Sequence, residues 1–201
     1  LSNRGSRFHP TQVEWDDGIF GPSPVTEYRP VTARTIISRN SYPDIHFDQY
    51  INPYQGCEHG CIYCYARPTH AYLDLSPGVD FETRLTYKRN AAEQLERELG
   101  KTGYRASCIT LGANTDPYQP VEKEHRITRQ VLEVLQRCRH PVAIITKGAL
   151  VTRDIDILAD MAADDLCSVA VSVTTMDADL KRTMEPRTAS SAARFSAMEA
   201  L

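Results

Sequence analysis

Asn52-Pro53-Tyr54-Gln55-Gly56-Cys57-Glu58-His59-Gly60-Cys61-Ile62-Tyr63-Cys64-Tyr65-Ala66 sets three cysteines at the spacing C-x-x-x-C-x-x-C. Iron–sulfur clusters are held by cysteine thiolates, and a complete [4Fe–4S] site takes four of them. One tight loop here supplies three, so the fourth iron of such a cluster is open to a ligand that is not protein. Zinc is the competing metal. It prefers four tetrahedral ligands, usually from two Cys-x-x-Cys pairs, and no second pair exists, because Cys108, Cys138 and Cys167 are single and widely spaced. His59 lies between two of the loop cysteines, at poor spacing for a fourth zinc ligand. Disulfides are rare in the cytosol, and no stretch reads as a secretory signal, so a reducing, cytoplasmic location is expected. Cys108, Cys138 and Cys167 fall in apolar stretches and are expected to be small buried hydrophobes.

Outward from this loop, the 201 residues suffice for one domain with a sizeable core. With 41% hydrophobic and 24% charged residues, the composition is that of a soluble globular protein. A net charge of −3 gives no global pull toward nucleic acid or anionic membrane, and no apolar run is long enough to span a bilayer. Residues 1–46 are rich in turn formers, among them Gly18, Gly21-Pro22-Ser23-Pro24 and Tyr42-Pro43. They read as an extended, mostly irregular N-terminal segment with one strand around Arg34 to Ser38.

From residue 47 to 201 strand and helix patterns alternate. Phe47 to Pro53 reads as a strand entering the cysteine loop, and Ser107 to Leu111, Val142 to Ile145 and Leu166 to Val173 as three more. Asn90 and Glu93 have capping-box spacing ahead of a helix with Ala91, Leu95 and Leu99 on one face. A second helix carries Ile127, Val131, Val134, Leu135 and Cys138. A third, capped by Asp154, carries Ile155, Leu158 and Ala162, and a last one, capped by Ser190, carries Phe195, Met198 and Leu201. Strands alternating with helices imply parallel βα units, with the chemistry on loops at the carboxyl ends of the strands. The cysteine loop, Asn114-Thr115-Asp116, Lys147 and Ser172 to Thr175 each follow one of the four strands and are expected to meet on one rim.

The C-x-x-x-C-x-x-C spacing, the aromatic Tyr63 before the third cysteine and the Cys64-Tyr65-Ala66 that follows resemble the radical SAM superfamily. Together with Leu111 to Glu122, Thr146-Lys147 and Arg153 to Asp156, they resemble the subfamily around spore photoproduct lyase, the DNA-repair-photolyase-like radical SAM proteins. The resemblance implies a partial TIM-type (βα) barrel, here apparently truncated after about four βα units. It also implies a [4Fe–4S] cluster on Cys57, Cys61 and Cys64, S-adenosylmethionine (SAM) chelated by the open iron, and an electron donor such as flavodoxin or ferredoxin. Reductive cleavage of SAM then gives a 5′-deoxyadenosyl radical that abstracts hydrogen from a substrate. By the same resemblance Asn114 and Thr115 belong to the stretch at the methionine end of SAM, Lys147 pairs its carboxylate, Ser172 approaches the ribose hydroxyls, and the backbone of Tyr63 meets the adenine edge. The chain departs from the subfamily at Ala113, where spore photoproduct lyases carry a hydrogen-donating cysteine, so thymine-dimer splitting is not the expected activity.

The residues leave a second function class open, a non-catalytic iron–sulfur or zinc-binding module. Within the enzyme class, nucleic acid, a small molecule and a peptide all remain as substrates. The basic run Arg84, Lys88, Arg89, Arg97, Lys101 and Arg105 fits either a nucleic-acid contact or a solvated face. Glu185-Pro186-Arg187-Thr188 reads as a SAM contact, a salt-bridged loop or a solvated turn.

Overall fold

The structure is a computed structural model that describes residues 25–45 and 47–201, so Gly18 and Gly21-Pro22-Ser23-Pro24 lie outside the described residues. Its strands are β1 (Glu27–Val31), β2 (Ser38–Arg39), β3 (Gln49–Ile51), β4 (Tyr54–Gln55), β5 (Arg84–Lys88), β6 (Ile109–Leu111), β7 (Val142–Thr146) and β8 (Cys167–Val171). Its helices are α1 (Asp80–Thr83), α2 (Ala91–Leu99), α3 (Glu122–His125), α4 (Ile127–Arg137), α5 (Ile155–Ala162), α6 (Ala178–Met184) and α7 (Ser191–Ala200). Short 3-10 segments occupy Arg67–Leu73 and Ala149–Asp154.

The four expected strands form one sheet in the order β3-β6-β7-β8, all parallel, with Gln49 opposite Ile109, Ile109 opposite Val142 and Val142 opposite Cys167. The two-residue β2 pairs antiparallel with β3 and closes that edge, a device that blunts an otherwise open strand. Alternation along the strands sorts their side chains. Ile51, Ile109, Leu111, Val142 and Ile144 point at the helices and pack with Leu95, Val131, Leu132, Leu135, Leu158 and Met161 in one core. Each such buried aliphatic contributes about 1.5–3 kcal/mol. Thr110, Ala143 and Ile145 face the other way and line cavities on the uncovered face.

A second sheet, β1-β5-β4, was not foreseen; β1 runs parallel to β5 and β4 antiparallel to it. The strand expected around Arg34 to Ser38 is displaced to Glu27–Val31 and Ser38–Arg39, because the intervening backbone bonds to side chains. Glu98 accepts from the amides of Ile36 (2.7 Å) and Ile37 (3.1 Å). Asn90 accepts from the amide of Ala33 (2.8 Å) and donates to its carbonyl (2.9 Å). The segment is thereby docked on the core, with Ile36 buried. Asn90 spends its side chain there and caps nothing. Asp154 makes no cap either, because its carboxylate is taken by Arg129, Arg153 and Tyr118. Ser190 does cap α7, accepting from the amide of Ala193.

Three assignments of buried faces need correction. On α7, Arg194 and Ala197 are buried while Phe195, Met198 and Leu201 are exposed. On α5 the buried residues are Ile157, Leu158 and Met161, with Ala162 outside. Cys108 and Cys138 are exposed and Cys167 is half-buried. Cys138 lies past the last buried turn of α4, and Cys108 shares the uncovered sheet face with Thr110.

Candidate functional site

Each loop after a parallel strand reaches the same cavity, of about 620 Å³. Its lining includes Cys57, Cys61, Cys64 and Tyr63 after β3 and β4, Ala113, Asn114 and Asp116 after β6, Lys147 after β7, and Ser172 after β8. The convergence expected from strand order is therefore present. Thr115 is the exception. Its hydroxyl points inward and donates to the carbonyl of Tyr54 (2.7 Å), so it braces the cysteine loop from behind and does not line the cavity.

The cysteine loop hangs from residues distant in sequence. Gln119, fully buried, accepts from the amide of Glu58 (3.0 Å) and donates to the carbonyl of Gly56 (3.2 Å). Glu58 in turn accepts from the amide of Val121 (3.0 Å). Arg67 donates twice to the carbonyl of Cys61, from Nε (3.1 Å) and Nη2 (3.0 Å). Arg187 donates to the carbonyl of Glu58, and Glu82 joins the two guanidiniums, pairing with both Arg67 and Arg187. Gly60 adopts φ +67°, and a Cβ there would meet the Arg187 guanidinium at 2.2 Å. The left-handed conformation favours glycine, and a side chain there would displace the Arg187 guanidinium from the loop.

Asp116 ties this loop to the strand ends. Its carboxylate accepts from Thr146 Oγ1 (2.6 Å), the amide of Lys147 (2.7 Å) and the amide of Tyr118 (2.9 Å), and faces His59 Nδ1 at 3.3 Å. Burial is the largest influence on each and opposes its charge, but Asp116 and Cys57 together hold the imidazole well above its ordinary value, and His59 with the Lys147 amide and the Thr146 hydroxyl holds the carboxyl below its own. Gly112 allows β6 and β7 to approach here; it has φ +91°, and a Cβ would lie 2.0 Å from the carbonyl oxygen of Ile145. The Asp116 network was missed because the surrounding sequence reads as an ordinary polar turn.

Glu185-Pro186-Arg187-Thr188 orders the far side of the site. Glu185 pairs with the fully buried Arg194 (2.6 Å), which also donates to the carbonyl of Ser172 (2.8 Å). The hydroxyl of Tyr63 donates to Glu185, and the Lys147 ammonium stands 5.8 Å from the centre of the Tyr63 ring. Burial alone would raise the Glu185 carboxyl; hydrogen bonds from Thr174, Tyr63 and Arg194 keep it below its ordinary value. None of the six residues in the basic run from Arg84 to Arg105 lines the cavity.

The donor set fits a three-thiolate cluster. Three cysteines and no fourth line the cavity. Burial pushes the Cys61 thiol up to about 12 and raises Cys64 as well, so these sulfurs become thiolates readily only beside positive charge such as iron. Among the described residues no three His, Cys, Asp or Glu side chains gather to hold a single metal ion. A cluster needs no such gathering, since its thiolates bind separate irons. No helix among the described residues is long and apolar enough to cross a membrane.

Comparison with known proteins follows the same line. An uncharacterized protein of Mycobacterium tuberculosis is 40% identical over 151 residues, covering 75% of this chain and 44% of the relative. An uncharacterized protein of Methanocaldococcus jannaschii is 27% identical over 151 residues, with 75% and 54% covered. The chain thus spans about half the length of the relatives it matches. Among solved structures, spore photoproduct lyase complexed with dinucleoside spore photoproduct superimposes with a TM-score of 0.59 at 15% identity, covering 86% of this chain and 47% of that one. A mutant of the same lyase with bound AdoMet and dinucleoside spore photoproduct gives a TM-score of 0.60 at 16% identity, with the same coverage. These likenesses show a shared mixed α/β fold. The Radical SAM superfamily profile matches residues 51–201, the cysteine loop and all four parallel strands except the first two residues of β3, and the chain belongs to that superfamily.

Proposed function

We propose that the chain is the core of a radical SAM enzyme in which Cys57, Cys61 and Cys64 hold a [4Fe–4S] cluster and SAM occupies the cavity beside them. The observation that carries this is the single cavity shared by all three thiols with Asn114, Lys147 and Ser172. When bound, the cluster and SAM supply one-electron cleavage of the sulfonium and a 5′-deoxyadenosyl radical for hydrogen abstraction. The chain's own residues bind and orient. Lys147 offers its ammonium to the carboxylate of SAM, Asn114 offers amide hydrogen bonds at the same end, Ser172 serves the ribose hydroxyls, and the Tyr63 backbone serves the adenine edge. Thr115 leaves this set and acts through the loop it braces. Asp116 and Glu185 fix the strand ends from which Lys147 and Ser172 project. The four parallel strands are read as part of a TIM-type barrel, and a flavodoxin or ferredoxin as the electron source.

Reconstitution with iron and sulfide under anaerobic conditions, then reduction in the presence of SAM, tests the proposal. About four irons per chain together with release of 5′-deoxyadenosine support it. Zinc in place of iron, or a cluster that never cleaves SAM, would return the chain to a non-catalytic metal-binding module.

A further inference from the structure

The cavity that the thiols line is also walled by Asn40, Tyr42, Ile45, Phe47 and Tyr50. They come from the hairpin joining β2 to β3, ahead of residues 51–201 shared with the superfamily. We propose that this hairpin is the substrate-recognition element of the enzyme and that it takes a neutral, planar aromatic ring carrying no phosphate. The inference rests on the radical SAM function proposed above.

Three observations carry it. First, all of these side chains but Asn40 are aromatic or aliphatic, and none of those four is fully buried. Tyr42 is 73% exposed and Ile45 43% exposed, while Phe47 and Tyr50 meet edge to face at 5.9 Å. Such rings present π-faces and edges that another ring completes. Second, the charged side chains that line the cavity, among them His59, Asp116 and Lys147, all come from the loops after β4, β6 and β7, and none of the five described hairpin residues that line it is charged. Among the described residues the hairpin thus brings no cation to the cavity to pair a phosphate. Third, the hairpin is held in shape before any ligand arrives. The amide of Ile45 donates to the carbonyl of Tyr42 (3.2 Å), closing a turn with Pro43 at its second position. The Asn40 side chain accepts from the amide of Tyr42 (3.1 Å) and donates to the carbonyl of Phe47 (3.3 Å), and its backbone amide donates to the carbonyl of Asp48 (2.8 Å). A preformed apolar wall loses little entropy when a ring docks.

The experiment uses cluster-loaded protein, with ligand-observed NMR to measure binding of phenol, thymidine, thymidine 5′-phosphate and cyclohexanol. Calorimetry measures SAM binding to the same samples. Phenol and thymidine should bind, with cyclohexanol and the phosphate weaker. Tyr42→Ala and Tyr50→Ala should each weaken ring binding about tenfold, Tyr42→Phe should restore it, and SAM affinity should stay within about twofold. Ring binding unchanged in Tyr42→Ala, or cyclohexanol binding as well as phenol, would overturn the assignment. Tighter binding of thymidine 5′-phosphate than of thymidine would replace it with a phosphate-reading site. A parallel loss of SAM affinity would make the wall part of the SAM site. Failure of the parent to bind SAM at all would count against the radical SAM function separately, since Tyr42-dependent ring binding would still be read.

Discussion

Cys57, Cys61 and Cys64, which line the cavity, hang from partners spread between Arg67 and Arg187, whereas Tyr42, Phe47 and Tyr50, which also line it, come from one hairpin closed by its own residues. The first wall is polar, nearly buried and cross-braced by Glu82, Gln119 and Asp116. Among the described residues, the second brings no charged side chain to the cavity, and its Tyr42 and Ile45 are exposed. A cluster needs thiolates at fixed positions, and fixing them takes charged pairs drawn from the whole fold. A wall that only receives a ring needs shape and apolar surface, which a short local turn supplies.

The strongest way to break this contrast is to remove a thiol. Cys57→Ala, Cys61→Ala and Cys64→Ala are each expected to lose most iron after reconstitution, read by iron analysis and the cluster absorbance band, because a cubane held by two thiolates has two irons without protein ligands. Full iron retention in all three variants would sink the assignment.

Next is the brace. Glu82→Ala leaves Arg67, nearly buried, without its carboxylate and removes the ion pair of Arg187, which keeps its bond to the carbonyl of Glu58. Breaking a buried pair from one side costs about 3–5 kcal/mol; with Arg187 partly exposed, a loss near the lower end is expected in urea unfolding. The Tyr42→Ala variant, on the self-closed wall, should lose well under half of that. Equal losses would erase the distinction between the walls.

Lys147→Ala is expected to weaken SAM binding by about 1.5–3 kcal/mol, the contribution of one hydrogen bond to a charged group, while iron content is unchanged. Anaerobic calorimetry on parent and variant decides it. Unchanged affinity would make Lys147 a solvated strand-end residue whose role ends at its cation–π contact with Tyr63.

What the sequence disclosed follows from how far apart the interacting residues lie. The cysteine spacing is local, and the alternation of apolar residues marks strands and helices without knowledge of their neighbours. Together they placed Asn114, Lys147 and Ser172 on the thiol rim. The braces were illegible, because Glu58 and Gln119, or Glu82 and Arg187, are 61 and 105 residues apart. Polarity misled where a charge is satisfied inside. An arginine on an amphipathic helix is read as solvent-facing, yet Arg194 is buried among Glu185, Thr188 and the carbonyls of Ser172 and Ala189, turning Phe195 and Met198 outward. Asn90 and Asp154 misled in the same way: both stand where caps belong, and both bond elsewhere.

The smallest expected effect concerns the cysteines outside the motif. Cys108 and Cys138 are exposed, so neither fills space in the core. Substitutions at such surface positions shift stability by no more than about 0.5 kcal/mol. Cys108→Ala and Cys138→Ala should therefore match the parent in urea midpoint, in iron per chain and in SAM cleavage. Cys108 is the sharper case. It lies on the uncovered sheet face beside Thr110, Ala143 and Ile145, in a hollow that shares Phe47 and Ile145 with the main cavity. Partial burial raises its thiol, as burial does for Cys61 and Cys64, but Cys108 does not line the cavity that the three loop thiols share. Loss of iron in Cys108→Ala with the urea midpoint unchanged would mean that a fourth cysteine serves the cluster. The open-iron basis of the proposed function would then fall.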